Sequence, residues 1–132
     1  MSQATLTDVS LDSILERLTQ LTKLESDWDS YGALPVSPVA FVKACQLLID
    51  VKYALSALVG DRLLPSDVAP IADGSLQMEW RGAHGQLEVE IKPDMDFSYL
   101  LIKGEGSERK FEEKNQVSLS EVLNVVSQVL IP

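Results

Sequence analysis

One stretch decides the fold of this chain: LQMEWRGAHGQLEVEI, residues 76–91. Apolar and polar residues alternate strictly on both sides of a glycine-flanked turn, which is the pattern of two half-buried strands joined in a hairpin. A four-residue loop over 82–85 pairs Arg81 with Gln86. The pattern therefore predicts an antiparallel hairpin with one face toward the core. Its core residues are Leu76, Met78, Trp80, Leu87, Val89 and Ile91.

The same register collects carboxylates on the opposite face. It sets Glu79 against Glu88 and brings Glu90 alongside, although like charges across a strand pair repel by a few tenths of a kcal/mol up to about 1 kcal/mol. One interpretation is a solvated face on which Arg81 and Lys92 relieve the repulsion. A second is an acidic patch that meets a basic partner. A cation site is the least favoured, because a flat sheet rarely supplies the six or more oxygens that calcium takes.

Further strands are predicted on both sides of the hairpin. Residues 97–103 form a third strand, apolar on both faces and therefore central or covered by a helix or a partner. Residues 107–114 are predicted to form a charged edge strand, which would resist edge-to-edge pairing. Upstream, residues 61–68 are interpreted as a connector, and Asp73-Gly74 is a strong hairpin-turn signal.

Three helices complete the pattern. Leucine and isoleucine at helical spacing predict a first helix from Ser10, as N-cap, to about Glu25. Ser37-Pro38 begins a second helix, 38–59, which is so apolar that we expect burial on most sides and a central place in the core. Ser118 to Glu121 is a capping box that begins the last helix.

The predicted fold class is therefore α+β. We expect an antiparallel meander sheet of three to five strands packed against two N-terminal helices and one C-terminal helix. The length fits a single domain over residues 1–132, with residues 1–9 as a flexible tail.

The composition limits the classes of molecule that this chain is expected to bind. The net charge of −9 disfavours nucleic acid and anionic membranes and suits a basic protein partner, or serves solubility alone. No signal peptide and no membrane-spanning segment is recognisable, so a cytoplasmic location is expected. The single cysteine, Cys45, rules out an intrachain disulfide and is expected to be a buried free thiol. No motif indicates a cofactor or a metal site.

An unusual loop, DWDSYGALP, occupies residues 27–35. Its two aromatic rings favour either of two roles. Trp28 and Tyr31 could fold onto the core, with Gly32 at a positive φ and Pro35 stiffening the exit. Alternatively one or both rings could be exposed as interface anchors, a role in which both residue types are enriched. We expect Trp28 and Trp80 to pack near one junction.

The loop and the hairpin together resemble a group of small bacterial proteins of uncharacterised activity. The shared pattern is Trp-Asp-x-Tyr-Gly-Ala-x-Pro at 28–35, then Asp-Gly-x-x-x-x-Glu-Trp at 73–80, then an alternating acidic strand. The resemblance covers roughly residues 25–105. It implies a compact bacterial cytoplasmic protein from a mobile or defence-type gene pair, and it implies no activity.

Three functional hypotheses follow. The first is a non-enzymatic, acidic protein-binding module of antitoxin, immunity or inhibitor type, with no catalytic residues. The second is a small carboxylate-based hydrolase using Asp27, Asp29 or His84, although nothing in the spacing supplies a nucleophile or an orienting partner. The third is a structural subunit that self-associates through helix 38–59. The first assigns partner binding to Asp29, Tyr31, Glu79, Glu88 and Glu90, and a structural clasp to Trp28, Gly32, Pro35 and Trp80.

Overall fold

Five antiparallel strands lie in one sheet in the order in which they occur along the chain. The computed structural model describes residues 11–94 and 96–131, with only the backbone at 61 and 62. The fold is α+β, as predicted. The strands are β1 Asp67–Pro70, β2 Leu76–Gly82, β3 Gly85–Ile91, β4 Phe97–Lys103 and β5 Lys110–Val117, and the helices are α1 Leu11–Leu21, α2 Pro38–Val59 and α3 Leu119–Leu130.

The register of the central hairpin, β2 with β3, is confirmed. Trp80 faces Leu87, and Glu79 faces Glu88. The turn is tighter than predicted, because Gly82 pairs with Gly85 and leaves a two-residue loop. The prediction of a connector over 61–68 is wrong at its end: β1 begins at Asp67 and pairs with β2. A strand of four residues that ends in proline is too short to show an alternating pattern.

A β-bulge interrupts the last strand pair. Phe97 pairs with Val117 and Tyr99 with Lys114, so two residues of β5 stand opposite Ser98 alone. At the bulge Gln116 has a φ of 55°, in the left-handed region that non-glycine residues seldom adopt. The predicted edge strand is present, but it runs over 110–117 and follows a short 3-10 turn at Gly106–Glu108. The bulge gives the sheet a local recess on its outer face.

The helix caps follow the predicted chemistry. The Ser37 hydroxyl accepts from the amides of Val39 and Ala40 at 3.1 and 3.4 Å, which satisfies the first turn of α2. The Ser118 hydroxyl accepts from the Glu121 amide at 3.2 Å at the start of α3. Helix α1 ends at Leu21, earlier than the predicted Glu25. The predicted tail over 1–9 and the cap at Ser10 lie outside the described residues.

The core lies between the helices and one face of the sheet. On β2 and β3 the six predicted core residues are fully buried, and the alternate residues are half-buried apart from the exposed Arg81. Trp80 is wholly enclosed, and its indole N–H donates to the Leu63 carbonyl at 2.8 Å. The alternation in the sequence therefore places every hairpin side chain on the face that it predicted.

The prediction that α2 is buried on most sides is wrong. Its inner face is buried, but Val42 is 62% exposed and Tyr53 is 84% exposed on the outer face. Cys45, predicted to be buried, is half-buried. Composition alone could not separate these faces, because both are apolar. None of the helices within the described ranges is long and apolar enough to cross a membrane.

Candidate functional site

The helices leave the outer face of the sheet open, and carboxylates cover it. Pairing places Asp67 beside Glu79, Glu79 beside Glu88, and Glu113 beside Leu100 on this face. Glu90 follows Glu88 on the same side of β3. We call these five side chains the acidic face: Asp67, Glu79, Glu88, Glu90 and Glu113.

Neighbouring side chains hold the two facing carboxylates. The Arg81 guanidinium donates to Glu79 at 2.9 Å. The Gln86 amide donates to Glu79 at 3.1 Å and to Glu88 at 3.4 Å, so one side chain bridges both. The sequence predicted that Arg81 relieves the repulsion between these carboxylates, but it did not predict the hydrogen bonds from Gln86 to both. Hydrogen bonds to charged groups stabilise more than neutral ones, so this pair is compatible with a stable sheet.

Glu90 lies beside Lys92 on the outer face. The Lys92 ammonium lies 3.0 Å from the Glu90 carboxylate. That hydrogen bond, together with the carboxylate's charge, raises the pKa of Lys92 above its ordinary value. The pair is partly exposed to water, so its contribution to stability is small. Within the described residues, no side chain donates a hydrogen bond to the second Glu90 oxygen.

A polar recess of about 300 Å³ opens in the acidic face beside the bulge. Glu88 and Glu90 line it from β3, and Glu113 and Asn115 line it from β5. The Ser98 side chain lies between them with only 6% of its surface exposed, and among the described residues its hydroxyl has no hydrogen-bond partner. Burial of an unpartnered hydroxyl costs about 1–3 kcal/mol. The recess thus combines carboxylates with a hydroxyl that lacks a partner.

Ser98 and Glu113, which the recess places among the site residues, were not predicted from the sequence. Ser98 belongs to a strand whose polar and apolar residues do not alternate regularly. Glu113 lies in a strand where six of the eight residues are charged or polar, so no alternation marks its face. The bulge shifts the pairing of β5, and no local signal reveals that shift. Neither position could have been assigned to this face without the tertiary pairing.

Tyr31 and Asp29 lie in the aromatic loop, residues 27–35, and not on the sheet. The Tyr31 ring is 92% exposed. The Asp29 carboxylate accepts from the amides of Tyr31 and Ala33 at 2.8 and 3.0 Å, so it holds the loop's own backbone. One oxygen of Asp27 likewise accepts from the Gly32 amide at 2.6 Å. The loop therefore presents one ring on a backbone fixed by two aspartates.

The aromatic loop docks on the turn between β1 and β2. The Leu34 amide donates to Ala72 at 2.8 Å, and the Ser37 amide donates to Gly74 at 2.9 Å. Gly74 has a φ of 92° and lies directly under the Pro35 carbonyl, where a Cβ would stand 3.2 Å from that oxygen. The two sequence motifs of the resemblance thus meet in space at one end of the sheet.

The two tryptophans bond to different segments. The half-buried Trp28 donates to the Leu34 carbonyl at 2.8 Å, within its own loop. Trp80 donates to Leu63, beyond the end of α2. Gly32 has a φ of 85° with open space around it, so it is required for its conformation rather than for packing.

Asp73 stabilises the turn between β1 and β2 on which the aromatic loop docks, which we call the docking turn. Its carboxylate accepts from the Ser75 amide at 2.9 Å. Partial burial raises the pKa of Asp73, but the hydrogen bonds with Ser75 and the positive charge of Lys92 outweigh burial and leave that pKa below its ordinary value. The carboxylate is therefore a structural acceptor in its ionised form.

The residues of the hydrolase hypothesis lie far apart. Asp27 and Asp29 belong to the loop docked at the β1–β2 turn, whereas His84 occupies the β2–β3 turn. The seven residues of β2 separate these turns, a distance of about 20 Å. The structure does not bring these groups together.

A larger recess lies at the His84 end of the sheet. It measures about 920 Å³ and is lined by Arg81, His84, Lys103 and Arg109, with Glu105 as its acid. It is wide and shallow, and the Arg81 guanidinium already bonds Glu79. The smaller recess is the better candidate, because a buried and unpartnered hydroxyl lies within it.

The chain was compared with protein-family models, with curated proteins and with solved structures. No family model, no curated protein and no solved structure matches the chain. Among residues 11–94 and 96–131, no group of three or more His, Cys, Asp or Glu side chains is placed to hold a metal ion.

Proposed function

We propose that this chain is a non-enzymatic protein-binding module that binds a basic protein partner through the acidic face. The observation that carries the proposal is the open outer face, where five carboxylates from four strands stand on one surface. Complementary charge speeds encounter and favours one partner over others. An inhibitor, immunity or antitoxin role fits such a surface, as does a cytoplasmic location.

Apolar side chains at the border of the acidic face support a protein partner. Phe111 pairs with Ile102 on the same outer face and is 61% exposed. Leu100 is half-buried beside the recess. Protein interfaces combine aromatic contacts with a charged rim, whereas a face that serves solubility alone has no need of an exposed phenylalanine. Tyr31 is a second exposed aromatic residue, and we assign it a supporting role with Asp29.

The proposal predicts a location-dependent effect of charge reversal. The double variant Glu88→Lys/Glu90→Lys should weaken binding of the partner isolated from the native host at least tenfold, measured by calorimetry at low salt. The matched control is Glu105→Lys/Glu108→Lys, on exposed residues outside the acidic face. Each single Glu→Lys substitution raises the net charge by two. Both double variants therefore change the net charge from −9 to −5.

Comparison with the Glu105→Lys/Glu108→Lys control shows whether the position of the charges or only their number affects partner binding. If the partner binds the control variant as it binds the wild type, and higher salt weakens both, the acidic face is the binding surface. Equal losses in the two variants would mean that only the overall charge matters, and the proposal would fail. The absence of any salt-sensitive partner would also contradict it.

A second candidate function is self-association through α2. The outer face of this helix carries an uncharged stripe at alternating spacings of three and four residues, which is the spacing of a coiled-coil seam. Lys43 and Asp50 are seven residues apart and flank the stripe on one side. A two-fold antiparallel pair brings the same flanks together, so Lys43 would face Asp50 of a second copy. The stripe comprises Val39, Val42, Gln46, Ile49 and Tyr53.

Sedimentation tests this second candidate. The wild-type chain should associate at high concentration, and Ile49→Lys should remain a monomer because it places a charge within the stripe. The control is Leu58→Lys, since Leu58 is 61% exposed but lies about 140° around the helix from Tyr53. A wild-type monomer at every concentration, or equal effects of both variants, would exclude the dimer.

A further inference from the structure

We infer that the recess beside Ser98 binds the guanidinium group of one arginine side chain of the partner. The inference rests on the proposed function and makes it specific. It names the residue type that the acidic face recognises and the protein atoms that contact it. The buried Ser98 hydroxyl can accept a hydrogen bond that nothing in the described part of the chain donates.

The charges of the recess select a cation. Glu88 and Glu90 on β3 and Glu113 on β5 line the recess on the two sides of Ser98, which lies on β4 between them. In the described residues no side chain donates to the Glu113 carboxylate, and Glu88 and Glu90 each use one oxygen. These carboxylates accept hydrogen bonds but donate none when ionised. A ligand that fills the recess must therefore bring several donors and a positive charge.

A guanidinium meets these needs better than an ammonium. It offers five N–H donors in a rigid plane and is weakly hydrated, so it enters partly buried sites more readily than lysine. Glu88 and Glu90 lie on one side of a strand, and Glu113 lies across the recess. Donors that point in different directions from one plane suit acceptors on both sides of the recess, with Ser98 between them.

The size of the recess fits a single side chain. Its volume is about 300 Å³, at the lower end of the range of about 300–1,000 Å³ for small-ligand sites. The bulge opposite Ser98 separates β4 from β5 and produces this space. Bulges recur where a strand must redirect side chains beside a functional site. Asn115, in the bulge, lines the same recess and adds a neutral acceptor.

The test uses N-acetyl-arginine amide as the probe, followed by amide chemical shifts of the full chain. The arginine compound should shift the signals of Ser98, Glu113 and Asn115 to saturation. Its neutral isostere, N-acetyl-citrulline amide, should not, and the lysine analogue should bind more weakly. Ser98→Ala should weaken binding of the arginine compound about tenfold, which corresponds to loss of a hydrogen bond to a charged group.

Ser75→Ala is the matched control variant. Ser75 carries the other buried serine hydroxyl of the described residues, but it lies in the docking turn outside the recess. It should bind the arginine compound as the wild type does. Ser98→Ala should also keep or raise the melting temperature, because it removes an unsatisfied buried group. A serine with a merely structural role would instead lower the melting temperature and leave probe binding unchanged.

The results separate the inference from the proposed function. Equal binding of the citrulline compound, or undiminished binding by Ser98→Ala, overturns the arginine site even if the basic partner still binds the acidic face. Conversely, if no basic partner binds but the arginine compound saturates the recess with these dependences, the proposed function fails and the site stands.

Discussion

Replacing Trp80 by alanine should lower the free energy of unfolding by about 3–5 kcal/mol, as large-to-small changes in a closed core do. Trp80 is fully enclosed, and the variant loses its buried contacts and leaves a cavity. It also removes the donor to the Leu63 carbonyl at 2.8 Å. Since domains are stable by only about 5–15 kcal/mol, this loss is a large share of the total. Urea denaturation followed by circular dichroism measures it.

Trp28 supplies the control for the hydrogen bond. Trp28→Phe and Trp80→Phe each remove one indole N–H that donates to a carbonyl at 2.8 Å. The first carbonyl can be reached by water, because the loop is largely exposed, whereas the second is buried. We therefore expect a loss below about 1 kcal/mol for Trp28→Phe and about 1–3 kcal/mol for Trp80→Phe. Equal losses would contradict the burial assigned to Trp80.

Gly82→Ala should destabilise the chain by about 1–3 kcal/mol, although the same exchange in an open strand is stabilising by about 0.4–1 kcal/mol. The backbone at Gly82 does not require glycine. A Cβ there would, however, overlap the Val129 carbonyl at the end of α3. Because the obstacle is backbone, the helix end itself must move. Thermal unfolding measures the loss, and amide exchange at 129–131 should accelerate.

The control for this prediction is Gly106→Ala. Gly106 has a φ of 58° with nothing within 4 Å of a Cβ, so the variant bears a conformational cost of about 1–2 kcal/mol and no steric clash. It should destabilise the chain without changing exchange in α3. If Gly82→Ala stabilises the chain, the close packing of the β2–β3 turn on α3 is wrong.

Much of the sheet could be predicted because its signals are local. The alternation over 76–91 determines which hairpin residues face the core, and a shift of one residue would have buried Glu79 and exposed Trp80. The caps at Ser37 and Ser118 depend on side chains within three residues of the amides that they bind. Such features need no knowledge of distant segments.

The candidate site was only partly predictable. The sequence identified Glu79, Glu88 and Glu90, because they belong to the alternating hairpin. It could not place Ser98 or Glu113, since their positions depend on how β5 pairs across a bulge. The family resemblance stays a prediction, although its two motifs meet at the docking turn.

By itself, then, the sequence determined the hairpin register, the acidic character of one sheet face and the beginnings of α2 and α3. Tertiary structure alone decided which face of α2 meets solvent, why residue 82 is a glycine, and where an unpartnered hydroxyl meets three carboxylates. The physical reason is the distance along the chain over which each kind of interaction acts. Periodicity and capping act over a few residues, whereas burial and steric contact depend on segments that lie far apart in the chain and meet only in the folded state.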